Sequence, residues 1–342
     1  MSLRLLVVLV VLAPLGGCYV LEAARGQLEL NARRVPIAAV LADPGTTPAL
    51  RAQLTLATRL RDFASAALAL PDNASYRSYA DVGRPYVVWN VFATPEFDVE
   101  PRTWCFPVAG CVGYRGYFSA ARARDFALNL EAAGNDVAVT GVPAYSTLGH
   151  FADPVLNTML YWDETELAAL VFHELAHQLL YVKGDTAFNE AFATVVEHEG
   201  VRRWLEAEGR PEALEDYRHR EERYRAVAAL LGASRERLRT LYAAPASPQQ
   251  KRDAKRAELA RLRAEYAAAR ATLGAGYDWL FDAALNNARL LAVATYQDCV
   301  PGLEARLAAA DFDLERFYAA ARSLARLSRA ARHDAACRGA AG

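Results

Sequence analysis

One short segment constrains the fold of this chain more than any other: His173-Glu174-Leu175-Ala176-His177. Residues at positions i and i+4 lie one above the other on a helix, so the two imidazoles can reach one metal ion. Glu174 projects beside them, where its carboxylate can accept a proton from water instead of ligating the metal. The segment therefore predicts a helix that carries two ligands and the general base of a hydrolytic Zn²⁺ site.

A third protein ligand is needed, because a catalytic zinc ion takes three and keeps its fourth position for water or substrate. A capping box at Asp163 and Glu166 predicts the start of the motif helix, and Gly184 predicts its end. A second apolar helix follows, and the short connection favours antiparallel packing. Glu190 then lies level with His177, since each is about five or six residues from the turn at ~1.5 Å per residue. We therefore predict Glu190 as the third ligand.

The motif, taken with Glu190, resembles the gluzincin metallopeptidases, whose third zinc ligand is a glutamate on the next helix. Thr194 stands one turn after Glu190, where many gluzincins have an aspartate that orients a zinc-bound histidine. Glu197 and Asp185 are the alternatives for that orienting role in this chain.

A larger set of segments resembles a family of proteobacterial lipoproteins described as putative aminopeptidases. The segments are Cys105 to Cys111, Ala144 to Gly149, Asp153 to Leu156, Phe172 to Gln178, Asp185-Thr186 and Phe188 to Glu190. The resemblance implies a periplasmic zinc peptidase with a peptide substrate, and an aminopeptidase is the first expectation. The alternatives are a zinc endopeptidase, a cell-wall peptide hydrolase and a non-catalytic zinc-binding lipoprotein.

The amino terminus predicts export and lipid attachment. An apolar run from Leu5 to Leu15 follows Arg4, and it is too short to cross a ~30 Å hydrocarbon core but typical of a signal peptide. The run ends at Leu15-Gly16-Gly17-Cys18, which resembles a bacterial lipobox; an ordinary signal peptide with an incidental cysteine is the alternative. By the same resemblance, Tyr19 favours the outer membrane. We expect a lipid anchor on Cys18 at the periplasmic face of that membrane.

The remaining cysteines are even in number, as expected for disulfides in an oxidising compartment. They are Cys105, Cys111, Cys299 and Cys337, and four cysteines permit three pairings. We favour the pairing of Cys105 with Cys111, which closes a small loop, and of Cys299 with Cys337, which ties back the last helix. Buried free thiols are the alternative.

The composition gives no sign of a nucleic-acid partner. The net charge is -1, and the basic residues are scattered instead of forming a stripe interleaved with aromatic residues. Because 53% of the residues are hydrophobic, the chain can bury a substantial core in one large or two modest units. A peptide substrate and a membrane are the partners that we expect, and the sequence names no protein partner.

The predicted fold class is α+β, with a small mixed-sheet lobe packed on a mainly helical zincin-like lobe and a long helical hairpin appended. Strand composition is found at Tyr86–Phe92, Asp136–Leu148 and Leu156–Trp162. Helices are predicted at Leu28–Val40, Pro48–Leu70, Ser119–Ala133 and Tyr277–Tyr296. The expected units are a signal peptide at 1–17, a metallopeptidase core at 18–210 and a helical region at 211–342, with its hairpin at 211–273.

A substrate-binding strand is predicted beside the motif helix. Pro143 cannot donate to a ladder, so the stretch from Val142 to Leu148 is predicted to be an edge strand. Such an edge can take an extended peptide by strand addition, which would let Tyr145, Ser146 and Thr147 present a substrate. The alternative is that these three residues only pack or turn.

Two further roles remain to be assigned from the sequence. Zinc peptidases commonly use one more donor to stabilise the oxyanion, and Tyr296 is the leading candidate, with Tyr145 and Tyr181 next. For each tyrosine the alternative is a buried ring whose hydroxyl bonds the backbone. An aminopeptidase also needs an acidic group that captures the free amine of its substrate. The acidic candidates are Glu197, Glu199 and Asp153.

Overall fold

The computed structural model describes residues 17–106, 110–282, 284–294 and 299–338, which are mainly helical with small sheets. The helices are α1 (Gly17–Ala32), α2 (Ile37–Ala42), α3 (Pro48–Leu68), α4 (Ala120–Ala132), α5 (Glu164–Leu179), α6 (Thr186–Ala207), α7 (Pro211–Ala243), α8 (Pro248–Leu273), α9 (Asn287–Ala294), α10 (Val300–Ala309), α11 (Leu314–Ala325) and α12 (Arg329–His333). The strands are β1 (Val35–Pro36), β2 (Ser78–Ala80), β3 (Val88–Pro95), β4 (Trp104–Phe106), β5 (Gly110–Val112), β6 (Tyr114–Tyr117), β7 (Asn135–Val142) and β8 (Val155–Leu156). This content is consistent with the predicted α+β class, and the zincin-like description of the helical part stays a prediction.

The largest sheet is antiparallel, in the order β6-β3-β7. Successive side chains of a strand point to opposite faces, and β3 uses both. Val91 and Ala93 pack with Ala123 of α4 on one face, while Phe92 packs with Ala288 of α9 on the other. The sheet is therefore held between a helix of the amino-terminal half and one that follows the long hairpin.

The smaller sheet is mixed, because β2 pairs with β1 antiparallel and with β8 parallel. The predicted strand Leu156–Trp162 is wrong beyond its first residue, since a 3₁₀ turn occupies Asn157–Met159. Hydrogen bonds to side chains take the place of strand pairing here. Val82 N donates to Asn157 Oδ1 at 2.8 Å, and Thr158 Oγ1 donates to Pro143 O at 2.5 Å. Polar side chains can offer the backbone such alternatives to a strand.

Two more predicted elements differ from the structure near prolines. The helix expected over Leu28–Val40 is interrupted, because α1 ends at Ala32 and β1 precedes α2. Pro36 lies at this break, where its ring would clash with the preceding turn of a continuous helix. The edge strand over Val142 to Leu148 is also wrong: β7 ends at Val142, and the residues that follow form a loop.

The motif helix and its partner begin at the predicted caps. Asp163 Oδ1 accepts from Glu166 N at 2.8 Å, and the Glu166 side chain accepts from Asp163 N at 3.2 Å, which completes the capping box of α5. Asp185 caps α6 by accepting from Phe188 N at 3.3 Å. The helices pack closely, since a Cβ built on Gly200 of α6 would lie 2.7 Å from the Phe172 ring of α5.

The main core lies around α5 and α6. It joins α3 to the carboxy-terminal helices, and large rings fill it, as in the stacked pair Phe192 and Phe317 at 5.7 Å between ring centres. Burial of such side chains stabilises the fold by roughly 1.5–3 kcal/mol each. A rigid core under α6 thus supports the residues that this helix carries.

The long hairpin is formed by α7 and α8, as predicted, but the helix expected over Tyr277–Tyr296 is not continuous. A 3₁₀ turn covers Ala275–Leu280, and α9 begins only at Asn287. Asn286 Nδ2 donates to Val137 O at 2.9 Å, while Asn287 Nδ2 donates to Asp98 O at 2.9 Å. The two asparagines therefore fasten this region to the sheet, which accounts for their place at a helix start.

Both favoured disulfides are present. Cys105 pairs with Cys111 across β4 and β5, and Cys299 pairs with Cys337 near the carboxy terminus. Within the described ranges, no helix has both the length and the apolar character needed to cross a membrane.

Candidate metal centre

Three predicted ligand atoms converge between α5 and α6. His173 Nε2 lies 3.1 Å from His177 Nε2 and 3.4 Å from Glu190 Oε2, and His177 Nε2 lies 3.7 Å from Glu190 Oε1. Bonds of about 2.0–2.1 Å to a tetrahedral zinc ion place ligand atoms about 3.3 Å apart. The three separations fit one face of such a tetrahedron, so these residues could hold zinc.

The charges of the three groups also suit a cation. Burial lowers the pKa of His177 to about 4, which leaves the neutral imidazole that binds metals. Burial opposes protonation of His173 too, but its hydrogen bonds with Glu190 and Glu197 outweigh burial and raise its pKa well above the usual value. The carboxylates thus favour a positive charge between the helices, where a metal ion would supply one.

Of the two residues predicted for the orienting role, Glu197 contacts His173 and Asp185 does not. His173 Nδ1 is 2.9 Å from Glu197 Oε2 and donates to it in the tautomer that leaves Nε2 for a metal. Tyr217 Oη donates to the other oxygen of Glu197 at 3.3 Å. Asp185 does not take this role, because its carboxylate caps α6 and contacts Arg332 instead.

Glu174 lies on the same helix as the histidines and has the proton affinity of a general base. Burial raises its pKa to about 7; His173 opposes this increase, Glu190 and Asp153 add to it by less, and Ser146 lowers the pKa least. A pKa near the working pH lets a carboxyl group take and return a proton. Glu174 can therefore serve as both acceptor and donor in hydrolysis.

The loop predicted as a substrate strand has its own contacts near Glu174. Ser146 lies close enough to the carboxylates of Glu174 and Asp153 to lower the pKa of both. Thr147 Oγ1 donates to Asp153 Oδ1 at 2.8 Å, and Tyr145 packs edge-on against Phe118 at 5.2 Å between ring centres. The loop therefore lies near Glu174 and is held by its hydrogen bonds to Asp153.

Tyr114 and Tyr181 both lie near the carboxylate of Glu190, and Tyr114 was missed in the sequence. Burial raises the pKa of Tyr114, and the nearby carboxylates of Glu190 and Glu174 raise it further. Burial and Glu190 likewise raise the pKa of Tyr181, whose ring centre is 6.2 Å from that of His177. Tyr296 lies outside the described residues. Tyr114 starts β6 directly after the disulfide loop, and only the pairing of β6 with β3 brings it to the helices.

Cys18 lies in the first turn of α1, and its side chain is outside the described part of the structure.

Over residues 18–336 the chain matches a family described as Putative aminopeptidase. It belongs to that family. The membership suggests peptidase activity and leaves the metal and the type of cleavage open. No curated protein and no solved structure matches the chain.

The carboxylates considered for capture of a free amine are all engaged elsewhere. Glu197 is held behind His173. Glu199 is only 4% exposed and pairs with Arg202 at 2.7 Å and Arg203 at 2.6 Å. Asp153 is only 1% exposed and accepts from the backbone and hydroxyl of the loop at Thr147. None of these three carboxylates stands free to bind a substrate amine.

The disulfide hairpin β4-β5 lies against the turn that joins the two ligand helices. Gly110 has a φ of +80°, and a Cβ built on it would lie 2.8 Å from Gly184 N and 2.8 Å from Lys183 Cγ. Glycine fits both this backbone conformation and this close approach. The hairpin therefore packs directly on the connection that sets the spacing of the ligand helices.

Proposed function

We propose that this protein is a zinc-dependent peptidase, with aminopeptidase activity as the first expectation. The observation that carries the proposal is the convergence of His173 Nε2, His177 Nε2 and Glu190 within 3.1–3.7 Å of one another, with Glu174 on the same helix. Membership of a family described as Putative aminopeptidase supports a peptide substrate. A cell-wall peptide hydrolase and a non-catalytic zinc-binding lipoprotein remain the alternatives.

Hydrolysis needs a base, a positioned substrate and a donor for the oxyanion. A bound zinc ion would supply Lewis-acid activation of water and of the peptide carbonyl. Glu174 takes the proton of the attacking water and returns it to the departing amine. Tyr114 donates a hydrogen bond to the carbonyl oxygen as negative charge develops there. Glu197 keeps the His173 ring in its ligand tautomer.

An endopeptidase is the second candidate, and the engaged carboxylates favour it. Glu197, Glu199 and Asp153 all have internal partners, so none of them is left to select a free amino terminus. Matched peptides with free and acetylated amino termini would separate the two activities. Cleavage restricted to the free peptide would support an aminopeptidase, and equal cleavage of both would support an endopeptidase. Cleavage of neither by zinc-loaded protein would favour the binding-protein alternative.

The metal is tested by zinc analysis of purified protein. We expect about one zinc ion per chain at this site, as a single His/His/Glu centre requires. His177→Ala should remove it. Undiminished zinc in a variant that lacks His173, His177 and Glu190 together would contradict the assignment.

The role of the base is tested by Glu174→Gln. Glutamine keeps nearly the same shape but cannot accept the proton, so zinc content should be retained while peptide hydrolysis falls by ~100-fold to 10,000-fold. Zinc analysis of the same preparation is the control for the integrity of the site. If the variant keeps activity within about threefold of the wild type, the loss is far smaller than removal of a general base should cause, and another residue is the base.

The proposed location is the periplasmic face of the outer membrane, with a lipid anchor on Cys18. The support for it is the sequence Leu15-Gly16-Gly17-Cys18 after an apolar run. Acyl chains contribute ~0.8 kcal/mol per buried methylene, so several of them would hold the protein on a bilayer. The peptide substrate would then be a periplasmic one.

A further inference from the structure

A second cluster of metal-ligating side chains lies behind the first one. Glu197 and His198 of α6 and Glu221 of α7 offer ligand atoms that all lie within 4.8 Å of one another. Glu304 of α10 approaches the same imidazole. A cavity of about 510 Å³ between these helices is lined by His198, Glu221 and Glu304.

The contacts of His198 repeat those of the ligand His173. At the first centre, His173 Nδ1 lies 2.9 Å from Glu197, and its Nε2 lies 3.4 Å from Glu190. At the second cluster, His198 Nδ1 lies 3.4 Å from Glu304 Oε1, and its Nε2 lies 3.0 Å from Glu221 Oε2. A metal-binding histidine usually donates its other ring N–H to a carboxylate. His198 has that arrangement, with Nε2 directed at a second carboxylate.

With His173 and His198 neutral, as metal ligands are, the carboxylates around His198 carry an excess of negative charge. Among the described residues, one guanidinium pairs with these three neighbouring carboxylates: Arg225 Nη2 lies 3.4 Å from Glu304 Oε1. The other arginines of the cavity have their own acidic partners: Arg202 pairs with Glu199 at 2.7 Å, and Arg218 pairs with a glutamate of its own helix at 3.5 Å. A divalent cation would offset this excess.

We propose that His198 Nε2, Glu221 and Glu197 bind a second divalent cation, with water from the cavity completing its coordination. The three side chains lie close enough to share one ion, and the adjoining cavity leaves room for further ligands. Such an open arrangement suits a six-coordinate ion that keeps several waters. One imidazole among carboxylate oxygens suits an ion of the Mn²⁺ class.

Glu197 connects this site with the first one. Its Oε2 lies 2.9 Å from His173 Nδ1, and its Oε1 accepts from Tyr217 on the side of the second cluster. A cation bound by Glu197 draws electron density from the carboxylate that orients His173. Occupancy of the second site therefore changes the zinc affinity of the first.

The competing account is a protonated His198 held between two carboxylates. Burial opposes protonation, but the hydrogen bonds with Glu221 and Glu304 outweigh burial and raise the pKa of His198 to about 9. An imidazolium would satisfy both carboxylates without a metal ion. The two accounts differ in whether the protein binds a second cation, and this can be measured directly.

The experiment is a Mn²⁺ titration of purified protein that has first been stripped by a chelator and reloaded with one equivalent of zinc. Electron paramagnetic resonance reports the free Mn²⁺. We expect one Mn²⁺ per chain. Glu221→Gln should weaken this binding by at least about tenfold, and Glu304→Gln by about 10-fold to 100-fold, because Glu304 orients the imidazole. Circular dichroism and zinc content confirm that each variant is folded.

Glu222→Gln is the matched control, since Glu222 follows Glu221 on α7, lines the same cavity and loses the same charge. Its Mn²⁺ affinity should stay within about twofold of the wild type, because it supplies no ligand. His177→Ala should lose zinc and keep the Mn²⁺ site, which separates this inference from the proposed function. The proposal is overturned if zinc-loaded wild type binds no Mn²⁺, if Glu221→Gln and Glu222→Gln behave alike, or if His177→Ala abolishes Mn²⁺ binding.

Discussion

Replacement of Asp185 should destabilise the protein far more than replacement of an ordinary helix cap. Asp185 is only 1% exposed, and it caps α6 five residues before Glu190. Its carboxylate also contacts Arg332 Nη2 at 2.6 Å and His333 Nε2 at 2.8 Å. Arg332 is itself only 4% exposed, so its guanidinium would lose its buried carboxylate partner. One side chain thus joins a ligand helix to the carboxy-terminal segment.

The magnitude follows from these contacts. Removing one partner of a buried ion pair costs about 3–5 kcal/mol, because the other charge stays buried. Loss of an N-cap costs about 1 kcal/mol more. Asp185→Ala should therefore lower the free energy of unfolding by roughly 4–6 kcal/mol, and Asp185→Asn, which keeps a capping oxygen, by roughly 3–5 kcal/mol. Asp163→Ala is the control: this cap of α5 is exposed, so it should cost only about 1 kcal/mol.

The assay is denaturant unfolding of the four proteins with their disulfides intact, repeated in acid. Burial raises the pKa of Asp185, but its hydrogen bonds with His333 and Arg332 outweigh burial and hold the pKa below its usual value. The stability from the ionised carboxylate is thus fully present above the unfolded pKa of about 3.9 and is lost as pH falls through the lower folded pKa. The difference between wild type and Asp185→Asn should be present at about pH 5 and shrink below about pH 4.

Two results would refute this reasoning. If Asp185→Ala costs no more than Asp163→Ala, the ion pairs with Arg332 and His333 do not stabilise the fold as their burial implies. If the difference between wild type and Asp185→Asn grows in acid, the folded pKa of Asp185 is raised and the sign of the linkage is opposite.

Three further perturbations test other parts of the structure. Glu197→Gln should weaken zinc binding by about 10-fold to 100-fold in chelator competition, because His173 loses its charged partner; unchanged affinity would remove that orienting role. Tyr114→Phe should lower kcat by about 100-fold to 1,000-fold with little change in KM, and a larger loss in Tyr181→Phe would give the donor role to Tyr181. Cys18→Ser should abolish membrane partition and incorporation of labelled fatty acid, and undiminished membrane binding would place the anchor elsewhere.

The sequence by itself determined the features that depend on residues close together along the chain. Helical spacing places His173 and His177 on one face of a helix, and a short turn brings Glu190 level with them. Local sequence signals predict the helix caps at Asp163 and Asp185. The two disulfides could be predicted because four cysteines permit only three pairings. Each of these predictions depends on a few residues whose geometry is nearly the same in any fold.

The predictions that failed did so because contacts from elsewhere replaced the local preference. The stretch after Val142 has strand composition, yet Thr158 and Asp153 bond its backbone and hydroxyl groups and hold it as a loop. Asn286 and Asn287 start a helix because their amides reach carbonyls of the sheet strand β7 and of the loop after β3. The composition of a segment indicates which secondary structure it prefers. It does not indicate which hydrogen-bond partners the fold brings to that segment.

Only the tertiary structure decided which groups surround the ligands. It chose Glu197 over Asp185 behind His173, and it brought Tyr114 to the centre through the pairing of β6 with β3. It also gave internal partners to the acidic residues that were candidates for binding a substrate amine. The side chains involved are far apart along the chain. Packing of the helices and strands sets the distances between them, and the periodicity of a single segment does not predict those distances.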